Sequence, residues 1–575
     1  MIRKIKKILS RKQIAVFVFL AVLLFIGGIF DLLGVSLILP IVNLMMDSTK
    51  LADEKWAIVI SNILHITDVK DLAIVMIGFM IIIYIIKNLY IILMYKVLYH
   101  YTYAFKKDLA IRLLKCYMYQ DYTFHLNKNV ADLQRNILND TGQFFGFISD
   151  FLNMFNQSVV CILLGIYLLI TDWRTTIGVI ILLGGAISLI YIYQRKAQVK
   201  RGIANRKYSA EMNKWIIQSF NGIKEIQVLG REEYFISQCE KAYDKGMDAN
   251  KKSNFAAILP KPLMEMVCVG GLLFVILFRL LMGAELTKFV SILAVFAVAA
   301  FRMLPCFNSI SAYLSNMFFE KDSVDAVYND IIEMEGLERK KRLINSEQKM
   351  DFNKEIAISN LTYKYPNTDK IILKNVNFNI KKNQSVGFVG ASGAGKSTLI
   401  DIILGVLPVE IGKITVDGKN IYENIEAWHR IIGYIPQSIY LMDDTIRKNV
   451  AFGVKEDEIS EERMWTVLEE AQIADFVRSL PEGLETEIGD RGVRISGGQR
   501  QRLGIARALY HNPQILVFDE ATSALDTETE TALMESIDTL KGKRTMLIIA
   551  HRIRTIENCD VVYEVVNGKI TKANI

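Results

Sequence analysis

Residues 390–397, GASGAGKS, set three glycines, a lysine and a hydroxyl in the pattern GxxxxGK[ST]. The apolar run SVGFVG leads into it, and STLIDIILG leads out with helical periodicity. That strand–loop–helix context is the one in which the pattern holds phosphate. Gly390, Gly393 and Gly395 let the backbone wrap phosphate oxygens, and the helix N-terminus adds positive potential. Lys396 is placed to reach the β/γ-phosphates of ATP and Ser397 to ligate Mg2+, with Ser392 and Thr398 as neighbouring ATP contacts. A glycine loop of this form can be a simple turn, but its flanks argue for the phosphate reading.

A matching acidic element lies at QILVFDEATSALD, an apolar strand ending in Asp519 and Glu520. A carboxylate at a strand end can hold Mg2+ through water, which suits Asp519. Glu520 then sits where a general base would polarise the attacking water. An acidic pair can merely begin a turn, but beside an intact phosphate loop the catalytic reading is preferred.

The elements that must position these residues fall in two halves. The chain has 575 residues, 51% of them hydrophobic, with mean hydropathy +0.25, which is too apolar for an ordinary soluble protein. Apolar runs long enough to cross ~30 Å of hydrocarbon occur up to about residue 314 and then stop. Six spans are expected, at about 14–46, 72–98, 143–170, 174–194, 262–282 and 287–314. The basic N-terminus MIRKIKKILSRKQ precedes a run too long for a signal peptide core, so a retained first helix is expected. The connections between spans two and three, and four and five, are long and rich in Lys and Arg. They and both termini are therefore assigned to the cytoplasm. Their helical periodicity suggests membrane helices that continue into the cytoplasm. The expected organisation is a helical transmembrane domain over 1–335, a charged linker over 336–353 and an α/β nucleotide-binding domain over 354–575. The six cysteines show neither zinc nor disulfide spacing. The net charge of +7 is explained by positive-inside placement, which leaves no call for a nucleic-acid partner.

Between the loop and the acidic pair runs RISGGQRQRLGIARAL, and here the chain resembles the ATP-binding cassette (ABC) family. Ser496, Gly497, Gly498 and Gln499 match its signature, with Ile495 in place of the usual Leu. The resemblance implies that Tyr365 stacks on adenine, that Gln437 senses the γ-phosphate and Mg2+, and that His551 is the switch histidine. It further implies that SALD forms a dimer contact and that TEIGDRG meets the membrane domain. Six helices followed by one cassette is the half-transporter exporter layout. In that family each ATP lies between the phosphate loop of one cassette and the signature of the other, so a homodimer with two working sites is expected. Short transverse helices near residues 119–124 and 221–233 would carry cassette motion to the membrane.

Charged residues at membrane depth point to the cargo. Lys87, Lys261 and Arg302 are candidate contacts for an anionic head group, with an ion pair from Arg302 to Asp31 or Glu265 as the structural alternative. AAFRMLPCFNSI, IYIIKNLY, ILPKP and LMDDTIRKNVAFG resemble bacterial flippases for lipid-linked oligosaccharides. That resemblance implies an anionic lipid-linked substrate, a polyprenyl-pyrophosphate glycan, moved outward across the bacterial cytoplasmic membrane with membrane lipids as surroundings. Export of lipid A-like lipids or amphipathic drugs is the alternative, and an ATP-gated channel or regulator is a third.

Overall fold

The computed structural model describes residues 2–36, 69–171, 173–281, 286–342, 350–366, 368–489, 492–520, 531, 534–535, 537–550 and 556–573. The chain divides into two units, residues 1–120 with 127–338, and residues 121–126 with 339–575.

The first unit is helical. Its principal helices are Arg11–Ser36, Val69–Met118, Thr141–Thr171, Trp173–Asn221, Glu232–Ile258, Pro260–Leu281 and Leu286–Arg342. Among the described residues, three stretches are long and apolar enough to cross a membrane: Arg11–Leu33, Ile77–Met118 and Val130–Ile170. The spans expected at 174–194, 262–282 and 287–314 fall on Trp173–Asn221, Pro260–Leu281 and Leu286–Arg342, where many side chains lie outside the described residues. The first expected span, 14–46, is helical to Ser36, and 37–46 lie outside the described residues.

Three of these helices far exceed a bilayer. Val69–Met118, Trp173–Asn221 and Leu286–Arg342 contain 50, 49 and 57 residues. At 1.5 Å per residue each is about 74 Å or longer, more than twice the ~30 Å of hydrocarbon. The last runs to Arg342, into the segment read as linker. Short helices, Tyr122–Asn127 and Ile223–Val228, occupy the two expected tips.

Close crossings use small residues, as membrane helices do when backbones must approach. A Cβ on Gly28 would come within 2.9 Å of Val159 Cγ1, and one on Gly202 would clash with the carbonyl of Phe319. Val160, Leu164, Leu168, Met303 and Cys306 form one small buried cluster, within which the Cys161 and Cys306 thiols hydrogen-bond. Farther along, a π-helix at Asn136–Asp140 brings polar groups to a buried junction. There Arg206 Nε donates to Asp140 Oδ2 at 2.8 Å, and Ser323 Oγ to Asp140 Oδ1 at 2.9 Å. Asn136 Nδ2 and the Tyr117 hydroxyl both donate to Asp330 Oδ2, at 2.9 and 2.6 Å. A buried carboxylate such as Asp140, 1% exposed, is tolerable only with such partners.

The second unit holds two sheets among its described residues. An antiparallel sheet has the order β2-β1-β4-β5, from Ile371–Lys381, Glu355–Lys364, Ile411–Val416 and Lys419–Asn420. A second sheet has the order β10-β9-β3-β8-β7-β6, from Lys569–Lys572, Val561–Val566, Ser385–Val389, Thr545–Ile549, Ile515–Asp519 and Ile432–Ile435. Its neighbours from β9 to β6 are parallel. SVGFV, ILVFD and TMLII are almost continuously buried, as expected of strands covered on both faces. Trp428, fully buried, donates from Nε1 to the Ile403 carbonyl at 2.9 Å, tying its segment to the helix Lys396–Ile403. Because β3, β8, β7 and β6 are parallel, the loops after them leave from one edge, where a ligand crevice forms in α/β sheets.

Candidate functional site

The phosphate loop leaves the end of β3. Gly393 at φ 78° and Gly395 at φ 106° take conformations that L side chains rarely adopt. Gly395 is the N-cap of Lys396–Ile403. Lys396 is 4% exposed and donates to the carbonyls of Gly390 and Ala391, at 2.8 and 3.1 Å. Its ammonium thus lies against the inner wall of the loop, within reach of the phosphate oxygens the loop is shaped to wrap. Ser392 is exposed in the loop and Ser397 in the first turn of the helix that follows. The Thr398 hydroxyl lies 3.1 Å from that of Tyr365, which anchors this aromatic beside the loop.

One strand separates β3 from β7, whose last residue is Asp519. Glu520 follows with φ 50°, a left-handed conformation that costs a non-glycine residue about 1–2 kcal/mol. That turn faces its carboxylate toward the loop after β6, where Gln437 Nε2 donates to Glu520 Oε2 at 2.6 Å. Such strain is held where surrounding structure fixes it, commonly at a functional site. Asp519 is ionised less readily than usual, because burial and the charge of Glu520 raise its pKa against the pull of Tyr434 and Lys396. Asp401, on the Lys396–Ile403 helix, is pushed up to about 6 by burial and the charge of Asp519. Three carboxyls therefore crowd this end of the sheet.

The arrangement fits Mg2+. Asp519 Oδ1 is buried without a hydrogen-bond partner among the described residues, an atom that suits a cation or its water. The Ser397 hydroxyl and the Gln437 amide oxygen would supply further oxygen donors, the type a hard cation prefers.

The signature forms a second feature. Ser496 caps the helix Gly497–Tyr510 in a capping box with Gln499, and both Ser496 and Gly497 are exposed. Gly498 follows in the first turn. Its first-turn N–H groups and positive dipole end are suited to an anion. His551, and the SALD stretch 523–526, lie outside the described residues.

In the helical unit, Lys87 is 4% exposed and forms an ion pair with Asp31, with its ammonium 5.2 Å from the Tyr84 ring centre. An ammonium shielded from water takes the nearest carboxylate, so this charge is matched within the chain. Asp31, one of two alternative ion-pair partners offered for Arg302, pairs with Lys87. Lys261 is exposed in the first turn of Pro260–Leu281. Arg302 is on the helix Leu286–Arg342, and its side chain lies outside the described residues. Reading by residue type missed Tyr434, which strand register sets opposite Val517, and Asp401, which the helix Lys396–Ile403 carries to the same end of the sheet.

The ABC transporter transmembrane region matches residues 17–304, and the ABC transporter family matches residues 373–523. The chain belongs to the ABC transporter family. It is an ATP-hydrolysing ABC exporter half-transporter, a membrane domain fused to a nucleotide-binding domain. It is 32% identical over 426 residues to the heterocyst differentiation ATP-binding protein HepA of Nostoc sp., covering 72% of this chain and 66% of that protein. It is 31% identical over 463 residues to the ATP-dependent lipid A-core flippase of Saccharophagus degradans, covering 79% of this chain and 76% of that one. A bacterial Atm1-family ABC exporter with ATP bound shares the fold, with a TM-score of 0.72 at 22% identity, over 98% of this chain and 94% of that chain. ABC half-transporters typically function as dimers, with the membrane domain embedded and the cassette cytoplasmic.

Proposed function

We propose that this exporter is a flippase for an anionic lipid-linked oligosaccharide, a polyprenyl-pyrophosphate glycan, in the bacterial cytoplasmic membrane. The observation that carries the reading is a cation, Arg302, within the apolar stretch of the helix Leu286–Arg342, with Lys261 exposed at the start of Pro260–Leu281. A charge at that depth is costly unless it faces a partner or a cavity, and an anionic head group would repay it. Lys87 contributes less than its position suggests, since Asp31 already matches it.

The ATP chemistry is assigned residue by residue. Lys396 and the backbone of residues 390–398 hold the phosphates, and Tyr365 lies against the adenine. Ser397, Gln437 and, through water, Asp519 would hold Mg2+, which neutralises phosphate charge as it develops. Glu520, oriented by Gln437, takes the proton of the attacking water, and His551 is assigned the switch role on the family resemblance. A single chain has one phosphate loop and one exposed signature. In a homodimer, Ser496, Gly497, Gly498 and Gln499 of one copy would complete the site of the other. The long helices would then carry closure of the cassettes to the membrane.

The relative named as a lipid A-core flippase favours a second reading, in which the cargo is a lipid A-type lipid. ATPase activity in nanodiscs separates the two. Addition of polyprenyl-pyrophosphate glycan is expected to stimulate hydrolysis, and stimulation by lipid A with no response to the glycan would overturn the first reading.

A further inference from the structure

We propose that Tyr434 is a positioning residue for the Mg2+ site, holding Asp519 in the rotamer that turns one carboxylate oxygen to the cation. The inference rests on the assignment of Asp519 to Mg2+ made above, and it concerns a residue given no role there.

β6 and β7 are parallel neighbours, with Tyr434 opposite Val517 and Ile435 opposite Phe518. Side chains alternate between faces with period two, so Tyr434, Val517 and Asp519 lie on one face. The phenol reaches diagonally along that face, and its hydroxyl donates to Asp519 Oδ2 at 3.4 Å. The other oxygen, Oδ1, is buried and has no hydrogen-bond partner among the described residues. The two oxygens are therefore unlike: one is held by the phenol, and the other is reserved.

The terminal torsion of an aspartate is broad and nearly two-fold, so nothing in its own stereochemistry selects an orientation. β8 flanks the aspartate through the pairing of Asp519 with Ile549, and among the described residues the side-chain donor to Oδ2 is the Tyr434 phenol. It comes from an edge strand in the described sheet, 38% exposed. A tyrosine placed there for packing alone would not need its hydroxyl on a carboxylate. Partners that orient metal-binding carboxylates typically affect metal affinity 10- to 100-fold.

The test uses the full-length protein and equilibrium binding of a fluorescent ATP analogue, measured in EDTA and across a Mg2+ titration. Tyr434→Phe is expected to leave affinity in EDTA within about twofold of wild type while raising the Mg2+ concentration for half-maximal effect about tenfold. Asp519→Asn, measured alongside, should blunt the Mg2+ response more strongly. Equal weakening of Tyr434→Phe with and without Mg2+ would assign the hydroxyl a structural role and overturn the proposal. An unchanged Mg2+ titration for Tyr434→Phe, with Asp519→Asn blunted, would overturn it as well. If Asp519→Asn also titrates like wild type, the assignment of Asp519 itself fails and takes this inference with it.

Discussion

Replacing Glu520 by Gln removes one proton acceptor and little else. The side chain keeps its length, and its amide oxygen can still accept from Gln437 Nε2, which now lies 2.6 Å from Glu520 Oε2. That contact changes from charge-assisted, about 1.5–3 kcal/mol, to neutral, about 1 kcal/mol, a small loss at a half-exposed site. Removing the charge also relieves Asp519, whose ionisation the neighbouring carboxylate opposes. Nucleotide binding should therefore persist or tighten. Turnover should not, since a positioned general base contributes about 10²–10⁴-fold. At 1.36 kcal/mol per tenfold, that corresponds to a barrier higher by about 3–5 kcal/mol. Phosphate release by the purified protein measures turnover, and equilibrium nucleotide binding is measured on the same sample. A variant that hydrolyses ATP within tenfold of wild type would refute Glu520 as the base.

Other perturbations probe the remaining assignments. Lys396→Ala removes the ammonium that reaches Gly390 and Ala391, and nucleotide affinity should fall about ten- to hundredfold in a binding titration. Arg302→Ala should impair lipid transport while leaving most ATP hydrolysis, and normal transport would remove Arg302 from the substrate path. Copper phenanthroline should join Cys161 to Cys306, since their thiols already hydrogen-bond, and peptide mass spectrometry would detect the linked pair. No cross-link would contradict the contact between Thr141–Thr171 and Leu286–Arg342 described here. Gly202→Ala forces a methyl group against the Phe319 carbonyl, and thermal unfolding in detergent should reveal a loss of about 1–3 kcal/mol.

Local patterns made the cassette legible in the sequence. A glycine spacing, an apolar strand ending in two acids and a Ser-Gly-Gly-Gln turn each report chemistry within a few residues. What was illegible depends on register and crossing. Tyr434 reaches Asp519 across 85 positions, through a strand pairing that no local pattern encodes. Asp31 and Lys87 meet because two apolar helices lie side by side, a pairing that residue type alone did not suggest. The buried junction of Asp140, Arg206 and Ser323 joins three distant segments, and the π-helix beside it has no counterpart in hydrophobic periodicity. Three apolar stretches long enough to cross a membrane, within Arg11–Leu33, Ile77–Met118 and Val130–Ile170, were readable because bilayer thickness fixes their length. The extent of the helices was less so, and Leu286–Arg342 runs on where charge suggested a linker.

The central claim is that hydrolysis at the Glu520 site moves an anionic lipid-linked glycan. Its most direct test is translocation of a labelled polyprenyl-pyrophosphate glycan in proteoliposomes, with wild type and Glu520→Gln compared in identical vesicles. Outward movement that needs both ATP and Glu520 is the predicted result. Vigorous ATP hydrolysis by wild type with no movement of the glycan would contradict it.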